Sequence, residues 1–405
     1  MNKVTIIGAG PAGLYSAYLL TKNGIKVDIY DAMSGPCKKF LIAGSSGLNL
    51  THSEPIDKFI QRYGKDANFF AALLESFNAE NLRQWCQQLE VETFVGSSGR
   101  VFPTTMTAAQ MLKSWREEIE NTTLATFHFN HQFIGFQDKN SKKLLFKSET
   151  EERVIDSENS LFALGGASWK KTGSDGSWLN SFKELELSTR DFLPMNCGFT
   201  RSWSTKFQTD VDNSPLKNIV ISFKDRSIRT ECMLTPYGIE GTGIYALSNE
   251  IRDEIISKQR AQIQIDLRPD LSLEEIYKRL SKARGKNSIS NFLRKSLKIN
   301  KTEINLLRDI LSKEEFEDLK TLGIKLKALP IELNGIRPMD EAISTSGGIS
   351  MDEINQQLQL KKYPHLWICG EMLDWDAPTG GYLLQACFSM AHRASLSIIA
   401  KCHNP

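Results

Sequence analysis

The first thirty residues predict a strand, a turn, a helix and a second strand. Residues 4–7 form an apolar run typical of a buried strand. Apolar residues between Leu14 and Leu20 recur at helical spacing, and Gly24 marks the expected end of that helix. Residues 27–30 supply a second short apolar strand. This order is that of a βαβ unit, so residues 3–31 are predicted to open a nucleotide-binding sheet.

The rest of the chain alternates between helical and strand-like spacing. The pattern predicts a long loop at 34–55, helices at 56–90 and 107–119, short antiparallel strands near 127–136, 144–146 and 154–155, and a return to the first sheet at 161–166. Beyond these, it predicts strands through 191–268, short polar helices at 272–322, a late strand at 366–370 and a final amphipathic helix at 380–400. Strands and helices therefore mix throughout, which is typical of an α/β protein.

This order predicts a first domain that the chain leaves and later re-enters. We assign residues 1–190 and 336–405 to that discontinuous domain. Residues 191–268 and 322–335 are assigned to an inserted β domain, and residues 269–321 to a helical insertion.

Composition narrows the class of protein. The 405 residues carry 50 Lys and Arg against 48 Asp and Glu, a net charge of +2 that does not call for a polyanionic partner. Apolar runs fall far short of the roughly 20 residues that span a bilayer. The seven cysteines are scattered without a C-x-x-C pair, so we expect reduced, buried thiols and no metal site. We expect no membrane association, and the lack of a signal-peptide pattern predicts a cytoplasmic protein.

The strongest local motif is Gly8-Ala9-Gly10-Pro11-Ala12-Gly13, between the first strand and helix. Glycines at these positions permit a tight turn, close approach of a pyrophosphate and close packing of helix on strand. Asp31 ends the second strand 18 residues after Gly13, where an acid can bind ribose hydroxyls and would disfavour a 2′-phosphate. The motif predicts binding of a dinucleotide; a plain tight turn is the structural alternative.

A second glycine pair stands near the C-terminal end. Gly380 and Gly381 lack a Cβ atom, which would let a flat ring lie against the backbone. They precede the final predicted helix, whose first N–H groups could stabilise negative charge on a reduced flavin. Glu371, just after the late strand, could bind ribitol hydroxyls. The segment therefore favours FAD over NAD, with a surface turn followed by a helix as the alternative.

Several long motifs together resemble a known family. They are GAGPAG at 8–13, KKFLIAGSSGLNLTHSEP at 38–55, GRVFP at 99–103, ALGGASW with TGSDG at 163–176, YGIEGTGIYALS at 237–248, RPMDEAISTSGGISMDEI at 337–354 and the ending GEMLDWDAPTGGYLLQA. In this order they resemble bacterial FAD-dependent flavoproteins that include bile-acid-reductase-like and aminoacetone-oxidase-like enzymes. The ending is similar to that of one branch of the family.

The resemblance implies a Rossmann FAD-binding domain of the glutathione-reductase type with an inserted β-barrel-like domain and a small helical domain. More distant members carry Arg-Cys-Asn where this chain has Gly47-Leu48-Asn49, so no thiol role is carried over, although Asn49 is. The expected cofactor-binding residues are Gly8, Ala9, Gly10, Pro11, Ala12, Gly13, Asp31, Ala32, Lys39, Phe40, Gly47, Leu48, Asn49, Phe133, Ala163, Leu164, Gly165, Gly370, Glu371, Asp374, Thr379, Gly380, Gly381, Tyr382 and Leu383.

The expected chemistry is hydride exchange between flavin N5 and a small or medium organic substrate. A reductase of activated C=C bonds and an amine or alcohol oxidase that uses oxygen both stay open. No second dinucleotide fingerprint is found, so NAD(P)H is expected at most as a transient donor. His52 is a weak candidate for the catalytic proton donor, and a hydrogen-bonded loop histidine is the structural alternative.

Two further classes of function stay open, and a basic run at 278–301 supports only the first of them. A tRNA-modifying flavoprotein would present such a face to RNA, and a non-catalytic FAD protein would change a partner interface with its redox state. The run has few aromatic residues and the whole chain is nearly neutral. The sequence therefore favours a solvated helical face and argues against nucleic acid as a partner.

Overall fold

The computed structural model describes residues 3–45 and 47–403. Its strands are β1 (Lys3–Ile7), β2 (Lys26–Tyr30), β3 (Thr51–His52), β4 (Thr93–Val95), β5 (Arg100–Pro103), β6 (Ala125–His128), β7 (Gln132–Phe136), β8 (Lys143–Lys147), β9 (Glu152–Asp156), β10 (Ser160–Phe162), β11 (Thr189–Met195), β12 (Phe199–Thr200), β13 (Ser214–Phe223), β14 (Arg226–Thr235), β15 (Gly238–Glu240), β16 (Ala261–Asp266), β17 (Leu329–Leu333), β18 (Gly335–Ile336), β19 (Ser344–Ile349) and β20 (Leu366–Ile368).

Its helices are α1 (Pro11–Lys22), α2 (Lys38–Ala43), α3 (Ile56–Gln61), α4 (Ala67–Ser76), α5 (Ala79–Gln88), α6 (Ala108–Glu120), α7 (Leu179–Glu184), α8 (Thr205–Asp210), α9 (Thr242–Tyr245), α10 (Ser248–Lys258), α11 (Leu273–Leu280), α12 (Ile289–Leu297), α13 (Lys301–Ile310), α14 (Lys313–Glu317), α15 (Leu319–Lys327) and α16 (Tyr382–His403). Single 3-10 turns occur at Gly64–Asp66, Lys170–Thr172, Met339–Glu341, Met351–Glu353 and Gly370–Met372.

The chain divides into two compact units. Unit 1 comprises residues 1–194 and 343–405, and unit 2 comprises residues 195–342. The predicted domain boundaries lie a few residues away, at 190/191 and 335/336. Helices α11 to α15 share one buried apolar cluster with the strands of unit 2. The assignment of 269–321 as a separate helical insertion stays a prediction.

Unit 1 is built on a parallel sheet with the strand order β20-β10-β1-β2-β6. The predicted βαβ unit is present as β1, α1 and β2, and α16 packs against α1. Strand β6 was expected among short antiparallel strands, but it pairs in parallel with β2 and so extends the main sheet. The antiparallel strands that follow, β7, β8 and β9, form a separate three-stranded sheet. Alternation of apolar residues indicates a strand but not its partner, which explains this difference.

The segment predicted as one loop at 34–55 contains a short helix, α2, and the two-residue strand β3. Cys37 precedes α2 in a left-handed conformation, with φ of 57°, and the Phe40 side chain in the first turn is buried. The flanking glycines and serines masked this six-residue helix in the sequence pattern. Its position matters because α2 lies beside the glycine turn after β1, where the Cys37 N–H donates to the Ala9 carbonyl oxygen at 2.9 Å.

Unit 2 contains a seven-stranded antiparallel sheet with the order β17-β16-β13-β14-β15-β12-β18. Its polar helices are defined by capping signals legible in the sequence. Ser272, Asn300 and Ser312 each cap a helix, and a glutamate three residues on completes the capping box. A Rossmann-type domain with an inserted β-barrel-like domain was predicted, and the parallel sheet of unit 1 and the antiparallel sheet of unit 2 confirm this fold class.

Candidate functional site

Four strands of the parallel sheet end side by side. Ile7 is paired with Tyr30 of β2 and with Phe162 of β10, and Phe162 is paired with Ile368 of β20. The segments after these strands therefore leave the sheet at one edge. In open parallel sheets, ligands bind at this carboxyl edge. The sequence analysis expected cofactor-binding residues after all four strands, and those after β10 came from the family resemblance.

Glycines shape the turn after β1. Gly8 has a φ of +100°, a conformation that other residues rarely adopt. A side chain at Gly13 would overlap the Gly8 carbonyl oxygen, so Gly13 lets α1 pack closely on the turn. A Cβ added at Gly10 would meet no atom within 4 Å. The turn thus leaves open space in front of Gly10, as approach of a phosphate requires.

The N-terminus of α1 faces this space without a competing group. No side chain caps the helix, and its first turn contains no acidic residue. Pro11 lacks an N–H group, but it stands at the start of the helix, where N–H groups make no hydrogen bond within the helix. Free backbone N–H groups and the positive end of the helix dipole together favour an anion at such a position.

Asp31 follows β2 and is held in place by backbone N–H groups. The Ala9 N–H donates to Oδ2 at 2.7 Å, and the Met33 N–H donates to Oδ1 at 2.8 Å. Burial raises the pKa of Asp31, and these two hydrogen bonds oppose the rise. The carboxylate is therefore fixed at the second strand end, where the sequence predicted a ribose partner.

A cleft at this edge of the sheet brings together many of the predicted residues. Those that line it are Gly8, Gly10, Pro11, Ala12, Asp31, Ala32, Lys39, Phe40, Phe133, Ala163, Leu164, Gly165, Gly370 and Glu371. Ala9 and Gly13 belong to the same turn but do not line the cleft. All of these residues lie in unit 1.

The cleft also has lining residues that the sequence did not single out as binding residues. They are Met33, His131, Gln132, Lys170, Thr172, Gly173, Ser174, Asp175, Ser177 and Trp178, among others. Thr172 to Asp175 belong to the TGSDG motif, so the motif was noticed but not assigned to the site. Trp178 donates its indole N–H to the Gly165 carbonyl oxygen at 3.0 Å, which ties this loop to the end of β10.

Lys39 and Glu371 form an ion pair inside the cleft. The Lys39 ammonium donates to Glu371 Oε2 at 3.0 Å and to Ser168 Oγ at 2.8 Å. The Thr345 N–H approaches Glu371 Oε1 at 3.4 Å. The side chains of Lys39 and Glu371 are 24% and 10% exposed, so the pair is largely shielded from water. Lys39 thus joins α2 to the turn after β20.

A second group of predicted residues lies where α16 begins. Gly381 has a φ of +95°, and a Cβ there would lie 2.6 Å from the Thr51 backbone. A Cβ at Gly380 would lie 2.9 Å from the Tyr382 ring. The atoms that exclude side chains at both glycines therefore belong to the protein itself, whereas the sequence interpretation attributed the glycines to a flat ligand ring.

Two buried polar atoms in this region lack a partner. Asn49 Oδ1 and Thr51 Oγ1 make no hydrogen bond to any described residue. An unsatisfied buried polar atom costs about 1–3 kcal/mol, so such atoms in a native protein indicate a missing partner. Both belong to the loop from 38 to 55 whose Asn49 the resemblance assigned to the cofactor.

The other predicted residues lie outside the cleft. The Leu48 N–H donates to the Met106 carbonyl oxygen at 3.0 Å, and Asp374 Oδ1 accepts the Gly347 N–H at 3.0 Å. Gly47 precedes Leu48, and Thr379 and Leu383 flank the glycine pair. The structure thus places 14 of the 25 predicted residues in the cleft, and another five, Thr379 to Leu383, at the start of α16.

Tyr382, the first residue of α16, points into a charged cluster. Its hydroxyl donates to Glu54 Oε1 at 2.5 Å, and Arg62 binds both carboxylate oxygens of Glu54, at 3.0 and 2.8 Å. Burial raises the pKa of Tyr382, and the Glu54 contact raises it further. Burial also raises the pKa of Glu54, but the bonds from Arg62 and Tyr382 outweigh it and leave a lowered value. Tyr382 therefore anchors the helix start as a neutral phenol.

His52 has no ring nitrogen left for proton transfer. Nε2 lies 3.0 Å from the Ser98 carbonyl oxygen, which can only accept, and Nδ1 lies 3.1 Å from the Glu54 N–H, which can only donate. These partners fit an arrangement in which Nε2 donates to Ser98 and Nδ1 accepts from Glu54. The geometry favours the loop-histidine alternative over a catalytic role.

We expect His52→Ala to lower the free energy of unfolding by about 1–2 kcal/mol, since two hydrogen bonds are lost. Its turnover should fall less than about tenfold, whereas loss of a general acid costs about 10²–10⁴-fold. Denaturant unfolding and steady-state kinetics on the same preparation test this. A hundredfold loss of turnover at unchanged stability would restore the catalytic assignment.

Asp66 lies close enough to Asp374 and Asp376 for their charges to affect it. Burial raises the pKa of Asp66 to about 6, and the two aspartates add to the rise while Lys65 opposes it. Its Oδ2 has no hydrogen-bond partner among the described residues. The folded protein therefore holds the Asp66 proton at a pH where the unfolded chain has lost it.

The Asp66 proton makes stability depend on pH. Because the folded-state pKa is raised, the free energy of unfolding should fall as pH rises from about 4 to about 6 and stay lower above that range. Asp66→Asn should remove this fall and stabilise the protein at pH 8 by about 1 kcal/mol, allowing for partial exposure. Urea unfolding at pH 4.5 and 8 measures it, with Glu75→Gln on the exposed side of α4 as control. Equal pH dependence in Asp66→Asn and the wild type would contradict the assignment.

Metal and disulfide chemistry find no support in the described part of the chain. No cluster of three potential metal ligands occurs there, and all seven cysteines are buried, as predicted for the thiols. None of the helices in residues 3–45 and 47–403 is long and apolar enough to cross a bilayer.

Comparisons with known proteins agree with the fold. The chain is 21% identical over 399 residues to a Haemophilus influenzae protein named ribosomal RNA dihydrouridine synthase, with 97% of each chain covered. It is 23% identical over 408 residues to the Escherichia coli protein of that name, with 98% of this chain and 97% of the relative covered.

Solved structures share the architecture at low identity. The open form of a flavocytochrome c3 fumarate reductase matches with a TM-score of 0.56 and 15% identity, over 98% of this chain and 78% of that one. The family described as "HI0933-like protein Rossmann domain" matches residues 2–397. With the glycine turn, the parallel sheet and nearly the whole length in agreement, the chain belongs to the HI0933-like family.

Proposed function

We propose that this protein is an FAD-dependent oxidoreductase. The observation that carries the proposal is the cleft at the carboxyl edge of the parallel sheet. It combines the uncapped N-terminus of α1, the open space before Gly10 and the fixed carboxylate of Asp31. These groups suit a pyrophosphate and a ribose.

The residues present fit FAD better than a shorter nucleotide. Besides the cleft, the region at the start of α16 has two buried acceptors without partners, Asn49 Oδ1 and Thr51 Oγ1. A flavin ring has N–H groups and would satisfy such acceptors. In this assignment Gly8 to Gly13 and Asp31 hold the adenosine and pyrophosphate, and Asn49 and the first N–H groups of α16 hold the flavin.

When bound, FAD would supply hydride exchange at N5 with an organic substrate. This chain's own contribution is positional. The N-terminus of α16 offers N–H groups and a positive dipole end to negative charge that develops on the ring, and the Tyr382–Glu54–Arg62 cluster fixes that helix start. The small or medium organic substrate of the sequence analysis stays part of the proposal.

We favour the reductase over the oxidase. The two curated relatives are named for dihydrouridine synthesis, which adds two hydrogens across a C=C bond. In that direction NAD(P)H would supply one hydride, which carries both electrons. One carbon of the substrate C=C bond would receive a hydride, and a proton from solvent or a side chain would complete the product at the other carbon. The C-terminal segment GEMLDWDAPTGGYLLQA is similar to that of one branch of the family, so the substrate can differ from that of the two relatives.

Uridine in RNA is the second candidate substrate, since both relatives, which match over almost their whole length, are named for ribosomal RNA. The sequence analysis kept an RNA-modifying flavoprotein as an alternative, and the relatives' names favour ribosomal over transfer RNA.

An anaerobic titration of the purified protein with NADH and NADPH tests the proposal, followed by admission of air. We expect an FAD absorbance band that a nicotinamide bleaches at a useful rate and that air restores slowly. Bleaching only by amines or alcohols, with rapid peroxide formation, would instead identify an oxidase. A protein that neither contains nor takes up FAD would refute the proposal as a whole.

A further inference from the structure

Unit 2 contains a stretch of positive charge that the near-neutral composition conceals. Residues 278–301, named here the basic segment, hold nine Lys and Arg and no Asp or Glu. Since the whole chain has a net charge of +2, all other residues together carry −7. The segment covers the end of α11, the following loop, α12 and the first residue of α13.

The cations of the basic segment are not neutralised within the described chain. None of the nine lies within 4.0 Å of a carboxylate there. Of the other 16 Lys and Arg in unit 2, eleven do. Eight of the nine are exposed, and Arg279 is half-buried. Mutual repulsion among them stands uncompensated until an anion binds.

Helix dipoles account for only part of this charge. Lys278 and Arg279 lie in the last turn of α11, where a cation is favourable, and α12 has a similar pair in its last turn. Three others, Lys282, Arg284 and Lys286, stand in the loop between the helices. Lys301 begins α13, at the end of a helix dipole that disfavours a cation.

The apolar residues of the basic segment point inward. Phe292, Leu293 and Leu297 of α12 are buried in the core of unit 2. The segment therefore lacks the exposed apolar face with which an amphipathic helix enters a membrane. It also lacks an exposed aromatic ring on which a base could stack.

We propose that the basic segment binds the phosphate backbone of structured RNA and so holds an RNA substrate on the protein. Contacts through phosphates alone position the RNA without reading its sequence. The inference rests on the RNA candidate of the proposed function, which names the polyanion. This proposal reverses the expectation, drawn from the near-neutral composition, that nucleic acid is not a partner. Whether a cation is available to bind an anion depends on its own ion-pair partners and not on the net charge of the chain.

Fluorescence anisotropy with a labelled RNA hairpin of about 30 nucleotides tests the proposal, in buffers from about 50 to 200 mM salt. The test variant is the triple substitution K282Q/R284Q/K286Q, whose side chains make no hydrogen bond to any described residue. The control K206Q/K217Q/K313Q removes the same charge from exposed, unpaired positions elsewhere in unit 2.

We expect wild-type binding to weaken steeply with salt. Each lost phosphate contact reduces the steepness of log K against log salt by about 0.7–0.9. The loss of affinity between about 50 and 200 mM salt should therefore be about 20- to 40-fold smaller for the test variant than for the wild type. At low salt it should bind at least about tenfold more weakly than both the wild type and the control.

Three results would overturn the proposal. The first is no RNA binding at about 50 mM salt, and the second is equal weakening of RNA binding in the test and control variants. The third is a test variant that loses binding to an acidic polyglutamate probe while its RNA binding stays intact. The FAD spectrum of each variant is recorded in parallel. A colourless protein that still binds RNA through these residues would refute the flavin proposal alone, and a yellow protein without RNA binding would refute this one alone.

Discussion

Gly10→Val should fold and purify without FAD. The backbone of Gly10 is extended, with φ of −75° and ψ of −177°, which valine adopts readily. A Cβ at this position meets no protein atom within 4 Å, so we expect the valine side chain to occupy the space assigned to the pyrophosphate without displacing the backbone. We expect FAD affinity to fall by about a hundredfold or more, as for an overpacked site.

The cost to the fold should be small by comparison. Valine is a poor residue at a helix N-cap, which costs about 1 kcal/mol. Thermal unfolding of the apo forms of wild type and variant measures that term, and the absorbance of the purified protein measures bound FAD. A yellow Gly10→Val protein with one FAD per chain would contradict the assignment of the cleft.

Gly13→Val is the matched comparison, three residues further along the same turn. Its side chain would overlap the Gly8 carbonyl oxygen, so here the backbone itself must move. We expect insoluble or strongly destabilised protein whether or not FAD is supplied. The contrast between the two valines separates a glycine kept for a ligand from one kept for packing.

Of the substitutions that add a single methyl group near the start of α16, Gly381→Ala should be the most destabilising. A left-handed conformation costs a residue with a Cβ about 1–2 kcal/mol. The Cβ would also lie 2.6 Å from the backbone of Thr51, and overpacking of this kind adds about 1–3 kcal/mol. The combined loss in the free energy of unfolding should be about 2–5 kcal/mol.

Gly64→Ala provides the control for backbone strain alone. Gly64 also has a positive φ, +55°, but a Cβ there would meet nothing within 4 Å. Denaturant unfolding of the two alanine variants should therefore differ by the overpacking contribution. If Gly381→Ala and Gly64→Ala lower the free energy of unfolding equally, the close approach of position 381 to the Thr51 backbone contributes nothing to the loss.

Local signals in the sequence identified the elements that do not depend on distant partners. The glycine turn and Asp31 were predicted from spacing within one βαβ unit, and the structure places them at the ends of β1 and β2. The capping boxes of unit 2 also depend on residues only three positions apart, although no prediction was made from them. Strand alternation identified the segment of β6 but not its parallel pairing with β2. Pairing is decided by packing between segments far apart in sequence, which spacing does not record.

The same limit applies to the site. Lys39 meets Glu371 across 332 positions of the chain, and the TGSDG loop reaches the cleft only because β10 lies beside β1. Cations at 278–301 could be counted in the sequence, but whether acids from elsewhere would neutralise them could not. Charge balance is a property of the chain, whereas ion pairing is a property of the fold.

The interrupted course of unit 1 has a consequence for how the protein is made. Residues 195–342 of unit 2 are continuous and leave the ribosome as a complete segment. Unit 1, in contrast, gains strand β20 and helix α16 only when residues 366–403 have emerged. Domains fold as their residues emerge during synthesis, so unit 2 can fold while the cleft is still incomplete. Nascent chains therefore pass through a stage in which unit 1 exposes the face of α1 that α16 later covers, and the complete cleft can take up a cofactor only after residues 366–403 have emerged.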